Sequence, residues 1–260
     1  MGYANDTLTA GQWKPVASQF LKIGSKDGSD MVLGDLKPGD GWAKTDFIKI
    51  LNSSPSVELQ ARFVKWNDLT PPQKNSYGND PANFTEGWYQ LNDAGSAPLL
   101  DKCLNNRPLP FGTAILACAA SGSFITSNGE VLACEPGQKI ELPLPAGAWV
   151  FVANCTPVKL TFGDFKPGDG WAKTDFIKIL NASPSVEIQA RFVKWNDLTP
   201  PQKNSYGNDP ANFTEGWYQL NDAGSAPLLD KCLNSREVPA GNGFLACAAS
   251  GSIMTLPAAL

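Results

Sequence analysis

The sequence predicts an all-β protein made of two tandem β-sandwich-like modules with disulfides. Three observations carry that expectation. A 70-residue segment, Lys37 to Asn106, recurs as Lys166 to Ser235 at a constant offset of 129, differing only at Ser53/Ala182, Leu59/Ile188 and Asn106/Ser235. Short apolar or alternating runs are separated by dense Gly, Pro, Asn and Asp clusters, the punctuation of strands and turns. Six cysteines, an even number, contain no Cys-x-x-Cys pair and so lack zinc-ribbon or thioredoxin spacing.

The repeat sets the domains. More weakly, Thr9-Ala10-Gly11-Gln12-Trp13 matches Pro145-Ala146-Gly147-Ala148-Trp149, and Ala119-Ala120-Ser121-Gly122-Ser123 matches Ala248-Ala249-Ser250-Gly251-Ser252. The expected modules are 1–136 and 137–260, with the core repeat at 37–121 and 166–250, each a normal size for one domain. The offset changes from 136 to 129 before Lys37, so the first module carries about seven extra residues, assigned to the loop from Gly24 to Asp30.

Within the first module Phe47-Ile48-Lys49-Ile50-Leu51 reads as a largely buried strand and Val57-Glu58-Leu59-Gln60-Ala61-Arg62-Phe63 as a half-buried, alternating one. Thr70-Pro71-Pro72, Tyr77-Gly78-Asn79-Asp80-Pro81 and Asn92-Asp93-Ala94-Gly95 read as turns. Ile115 to Ala120 is a further strand. Asn128-Gly129, between two apolar triplets, predicts a type I′ hairpin. The second module has Trp149-Val150-Phe151-Val152-Ala153 as a strand and stops soon after Ile253-Met254-Thr255. Its counterpart of Val131-Leu132-Ala133 is missing, which predicts an open sheet edge.

The offset pairs Cys103 with Cys232 and Cys118 with Cys247, leaving Cys134 and Cys155 without copies. The simplest connectivity is then Cys103–Cys118, Cys232–Cys247 and Cys134–Cys155. Such short loops would each stabilise by about 3 kcal/mol. Disulfides imply an extracellular or cell-surface location.

The composition excludes several functions. A net charge of −4 without single-sign blocks offers no footprint for nucleic acid, and no apolar run is long enough to span a membrane. The chain has no histidine, hence no common general base or zinc ligand. No enzyme activity, cofactor or metal is expected. Asp40, Asp46, Glu58, Asp68 and Glu86 read as surface charge rather than as a two-carboxylate site.

The opening Ala-Gly-x-Trp, Gly-Asp-Leu/Phe-Lys before a Gly-Trp turn, Asp-Phe-Ile-Lys-Ile and a later Gly-Trp-Tyr resemble uncharacterised tandem-repeat proteins secreted by environmental bacteria. The resemblance implies export and a surface role, and it transfers no catalytic residue.

Two functions follow as expectations. The first is a secreted structural subunit that polymerises head to tail, copies of itself being the partner. There Gly2, Tyr3 and Ala4 of one subunit would add to the open edge at Ile253, Met254 and Thr255 of the next. The alternative is a bivalent carbohydrate-binding protein using Trp42, Trp66, Trp88 and Tyr89 and their copies Trp171, Trp195, Trp217 and Tyr218. Aromatic rings stack on sugars, although tryptophans also fill cores. Asn154-Cys155-Thr156 and five other Asn-x-Ser/Thr triplets match the glycosylation acceptor pattern.

Overall fold

The structure, a computed structural model, describes residues 2–23, 30–51, 54, 56–132, 137–183 and 185–258. The chain divides into two compact units, one over 1–52 and 56–132 and the other over 133–260, and the strands of their sheets pair antiparallel.

In the first unit the strands are β1 (Gly2–Leu8), β2 (Lys14–Ala17), β3 (Met31–Val32), β4 (Leu36–Pro38), β5 (Phe47–Leu51), β6 (Val57–Val64), β7 (Gly87–Leu91), β8 (Pro98–Cys103), β9 (Pro108–Leu109), β10 (Ala114–Cys118) and β11 (Ser123–Gly129). They form a six-stranded sheet in the order β2-β10-β5-β6-β7-β8, a three-stranded sheet β1-β11-β4 and a small β3-β9 pair. One core joins them: Leu8 and Ile125 from the small sheet meet Ile48, Ala61, Phe63, Trp88, Ile115 and Ala117 from the large one. Alternation explains this, because Ile48, Ala61 and Ala117 share one face of the pleat while Lys49, Arg62 and Cys118 point to the other.

The second unit repeats the plan with β12 (Lys139–Leu144), β13 (Trp149–Ala153), β14 (Leu160–Thr161), β15 (Lys166–Pro167), β16 (Phe176–Leu180), β17 (Val186–Val193), β18 (Gly216–Leu220), β19 (Pro227–Cys232), β20 (Glu237–Val238), β21 (Gly243–Cys247) and β22 (Ser252–Pro257). Its sheets are β12-β22-β15, β13-β21-β16-β17-β18-β19 and β14-β20.

The excursion between β6 and β7 carries a short helix, α1 (Pro71–Ser76), copied as α2 (Pro200–Ser205). Thr70-Pro71-Pro72 therefore starts a helix rather than making a plain turn. Proline suits a first helical turn, where no N–H partner is needed, and the Gln73 Oε1 accepts from the Thr70 N–H at 2.8 Å.

The hairpin expected at Asn128-Gly129 is absent. β11 runs straight through it, with Asn128 opposite Tyr3 and Gly129 opposite Gly2. The two glycines serve close packing instead. A Cβ on Gly2 would lie 2.3 Å from the Phe20 ring and one on Gly129 would lie 2.2 Å from the Phe20 Cβ, so only glycine lets Phe20 cover the ladder. Val131 and Leu132 are not in a strand.

The missing strand is corrected by the same ladder. β12 pairs with β22 from Leu144 opposite Ser252 to Lys139 opposite Pro257, and β15 pairs with its other side. Ile253, Met254 and Thr255 thus have neighbours on both edges within their own unit, and Gly2, Tyr3 and Ala4 are paired in theirs. The Lys139–Leu144 segment alternates exposed and buried without a break, a signal that the sequence carried and that the hairpin reading obscured.

The cysteine connectivity is also corrected. Cys103 ends β8 and Cys118 ends β10, with β7, β6 and β5 lying between them in the sheet. Four strand spacings put them about 19 Å apart, against the roughly 7 Å that a bridge spans at most. Both are free thiols, as are Cys232 and Cys247. Cys155 is buried, and its expected partner Cys134 lies outside the described residues, as does most of the Gly24 to Asp30 loop.

Candidate functional site

The tryptophans singled out in the sequence divide by burial. Trp88 and Trp217 are fully buried, their indole N–H groups donating to the carbonyls of Leu36 at 2.9 Å and Phe165 at 2.8 Å. Trp42 and Trp171 are half-buried and pack edge-on against them at 5.6 Å. Trp88 and Trp217 thus belong to the cores and not to a ligand surface, with Trp42 and Trp171 packed against them.

Tyr89 is buried on the opposite face of the large sheet, its hydroxyl donating to the Thr85 carbonyl at 2.6 Å. Phe84 stacks on it at 5.6 Å, and Trp66 and Tyr77 lean on Phe84 at 6.1 and 5.3 Å. Together with Val64, Leu69 and Leu100 these rings make a small second core under the excursion. The copy places Trp195, Tyr206, Phe213 and Tyr218 in the same way. Trp66 and Trp195 remain half-buried, with Lys74 and Lys203 ammonium groups 5.6 Å above them.

Most of the carboxylates have structural duties. Asp46 accepts from the N–H groups of Ala43 at 2.7 Å and Ala120 at 3.0 Å, Asp68 from Lys65 at 2.9 Å, Asp80 from Ala82 at 2.9 Å and Glu86 from Trp66 at 2.9 Å. Glu58 pairs with Arg107 at 2.9 Å. Among the described residues no cluster of cysteine or carboxylate ligands has metal-binding geometry.

The excursion covers only the β6-β7-β8 half of the outer sheet face. Across the other half runs a row of side chains in lateral register. Cys118 lies opposite Phe47, Ile48 opposite Ala61 puts Phe47 beside Arg62, and Arg62 lies opposite Tyr89. Trp13 closes the row at the β2 end. Its ring meets Phe47 edge-on at 5.2 Å, and the Lys49 ammonium sits 4.1 Å from its centroid.

Trp13, Phe47, Lys49, Gln60 and Arg62 are all half-buried, leaving an aromatic floor with two cations. Arg62 donates from Nη1 to the Ser96 carbonyl at 3.1 Å, while its Nε–H is buried without an acceptor. Burial pulls the guanidinium pKa down, and nearby Asp46 opposes that shift. Burial likewise pushes the Cys118 thiol up, so it is not activated as a nucleophile.

The second unit reproduces the row as Trp149, Cys247, Phe176 and Arg191, with Trp149–Phe176 at 5.2 Å and Lys178 at 4.2 Å from the Trp149 ring. Arg191 donates to Ser225 at 3.1 Å, and its Nε–H is orphaned in the same way. Sequence reasoning missed this face because its members are scattered from Trp13 to Cys118. One trace was Trp13 recurring as Trp149 in the loosely matching segment before the near-identical repeat.

Comparison with protein-family models, with curated proteins and with solved structures finds no match.

Proposed function

We propose that the chain is a bivalent carbohydrate-binding protein, each unit using the open half of its outer sheet face. The observation that supports this is a contrast between core and surface. Outside the near-identical 37–106 stretch the cores changed in part: Leu33, Leu36, Ile115 and Ile125 became Phe162, Phe165, Phe244 and Met254, whereas Ile48, Ala61, Phe63 and Trp88 inside it are kept. On the outer face Trp13 and Cys118, which lie outside that stretch, are unchanged and flank Phe47, Lys49 and Arg62 inside it, although Pro15 and Ala114 on the same face became Phe151 and Gly243.

Stability alone holds partly exposed positions weakly, since substitutions there usually shift it by under about 0.5 kcal/mol. A shared ligand is a reason for both faces to stay alike. An aromatic floor with polar neighbours suits the apolar face and hydroxyls of a sugar ring. The filament reading loses the open edge on which it stood. Export now rests on the resemblance to secreted proteins, because the duplicated cysteines are not bridged.

Affinity electrophoresis of the intact chain through a panel of polysaccharides tests the reading. Retention should drop about tenfold or more when either W13A or W149A removes one site, and vanish in the double variant, as avidity requires. No retention on any polysaccharide would overturn it. So would equal retention of all three variants, which would leave the matching faces as a trace of recent copying.

A further inference from the structure

Resting on that binding reading, we propose that the sugar recognised by each face is acidic, a uronate-bearing polysaccharide whose carboxylate is held between Lys49 and Arg62 in the first unit and between Lys178 and Arg191 in the second.

The charges on the face point that way. The ion pairs among the described residues involve Lys14, Arg107, Lys159 and Arg236, so neither Lys49 nor Arg62 is neutralised by a contacting carboxylate. Asp46, the acid closest in influence to Arg62, is 3% exposed and already committed to two backbone N–H groups. In a protein with an overall charge of −4, two cations without a contacting carboxylate on one sheet face are a local reversal of sign.

Register makes them neighbours. Lys49 lies opposite Gln60, and Arg62 is two residues further along the same strand on the same face, a diagonal spacing within reach of long side chains; the free ammonium rests over Trp13, from which a bound carboxylate would draw it toward Arg62. The turn from Asn92 to Ala97 fixes the guanidinium through the Ser96 carbonyl, and the Asn92 side chain holds that turn by accepting from the N–H groups of Ser96 at 2.9 Å and Ala97 at 3.2 Å. One edge of the guanidinium is therefore anchored, while Nη2 has no acceptor among the described residues. A carboxylate is the natural complement to an anchored guanidinium with spare donors, and the ammonium would add charge without demanding a direction. The same anchor, the same spare donors and the same lysine recur in the second unit.

The test compares polygalacturonate with the same polymer after methyl esterification, which keeps the ring and removes the charge. The intact chain should bind the acid polymer at least tenfold more tightly, and binding should weaken as salt rises. R62Q/R191Q should lose about tenfold on the acid polymer, with R62K/R191K intermediate because charge persists without the fork. K49Q/K178Q provides an independent reading should the arginine variants fail the circular-dichroism check for folding. Equal binding of acid and ester, binding of neutral glucans alone, or acid binding untouched by both pairs of variants would overturn the acidic-sugar inference while leaving carbohydrate binding in place. Failure to bind any polysaccharide would remove both.

Discussion

At the scale of single residues, the two copies act as a natural substitution experiment. Asp6 is buried and held by Lys14 at 3.1 Å and by Gln19 at 3.5 Å. At the equivalent places in the second unit stand Leu142, also buried, and Val150. A buried ion pair can be replaced by apolar residues at little cost, whereas losing one partner strands a charge. K14V alone should therefore lower stability by at least about 1 kcal/mol, while D6L/K14V should come within about 1 kcal/mol of the parent or exceed it. Urea unfolding at neutral pH measures both, and a double variant less stable than K14V would contradict this account.

Burial pushes the Asp6 carboxyl up, against the opposing pull of Lys14. A carboxyl whose folded pKa exceeds its unfolded one favours the fold most when protonated, so that contribution is lost as pH rises through the folded value. The parent should accordingly lose stability relative to D6L/K14V as pH rises above the ordinary carboxylate range. Asn154 shows the same attention to buried polar groups: fully buried, it donates to the carbonyls of Val158 and Val238, both at 2.8 Å. Its acceptor triplet is thus closed to glycosylation in the folded chain.

At the scale of elements, the first strand belongs to its own unit. β1 supplies Leu8 to the core and forms one whole side of β11. Deleting residues 1–8 should raise hydrogen exchange across Ser123–Gly129 and leave Ser252–Pro257 unchanged, because β12 supports β22 independently. Protection surviving in Ser123–Gly129 would mean that β1 is dispensable. The excursion from Trp66 to Glu86 illustrates how local signals combine. Its turn residues were legible, yet the stacking of Phe84 on Tyr89, which turns the loop into a lid over half the sheet, depends on two strands and a helix meeting.

At the scale of the whole molecule, one fold accommodates two different cores. The leucine and isoleucine set of the first unit and the Phe162, Phe165 and Phe244 set of the second, with centroids 5.1 Å apart for both Phe244 pairs, fill equivalent spaces on equivalent ladders. Cores tolerate such exchange when volume and patterning are kept together. The thiols give a molecule-wide prediction. Quantification in denaturant without reductant should find Cys103, Cys118, Cys232 and Cys247 all reduced, and in the native chain the exposed Cys103 and Cys232 should react first. Recovery of a Cys103–Cys118 peptide pair would contradict the strand order itself.

The sequence by itself determined the β class, the duplication and two strands to the residue, Phe47–Leu51 and Trp149–Ala153. Those features are written in local periodicity and repetition, which need no knowledge of distant partners. It misread Asn128-Gly129 because the same dipeptide serves a tight turn or a close approach, and only Phe20, more than a hundred residues away, decides between them. Strand order was beyond it for a like reason. Cys103 and Cys118 are near in sequence but sit four strands apart, since pairing is chosen by which faces bury together. The outer face from Trp13 to Arg62 likewise exists only once β2, β10, β5 and β6 lie side by side, so its residues could be read singly in the sequence but assembled only by the tertiary structure.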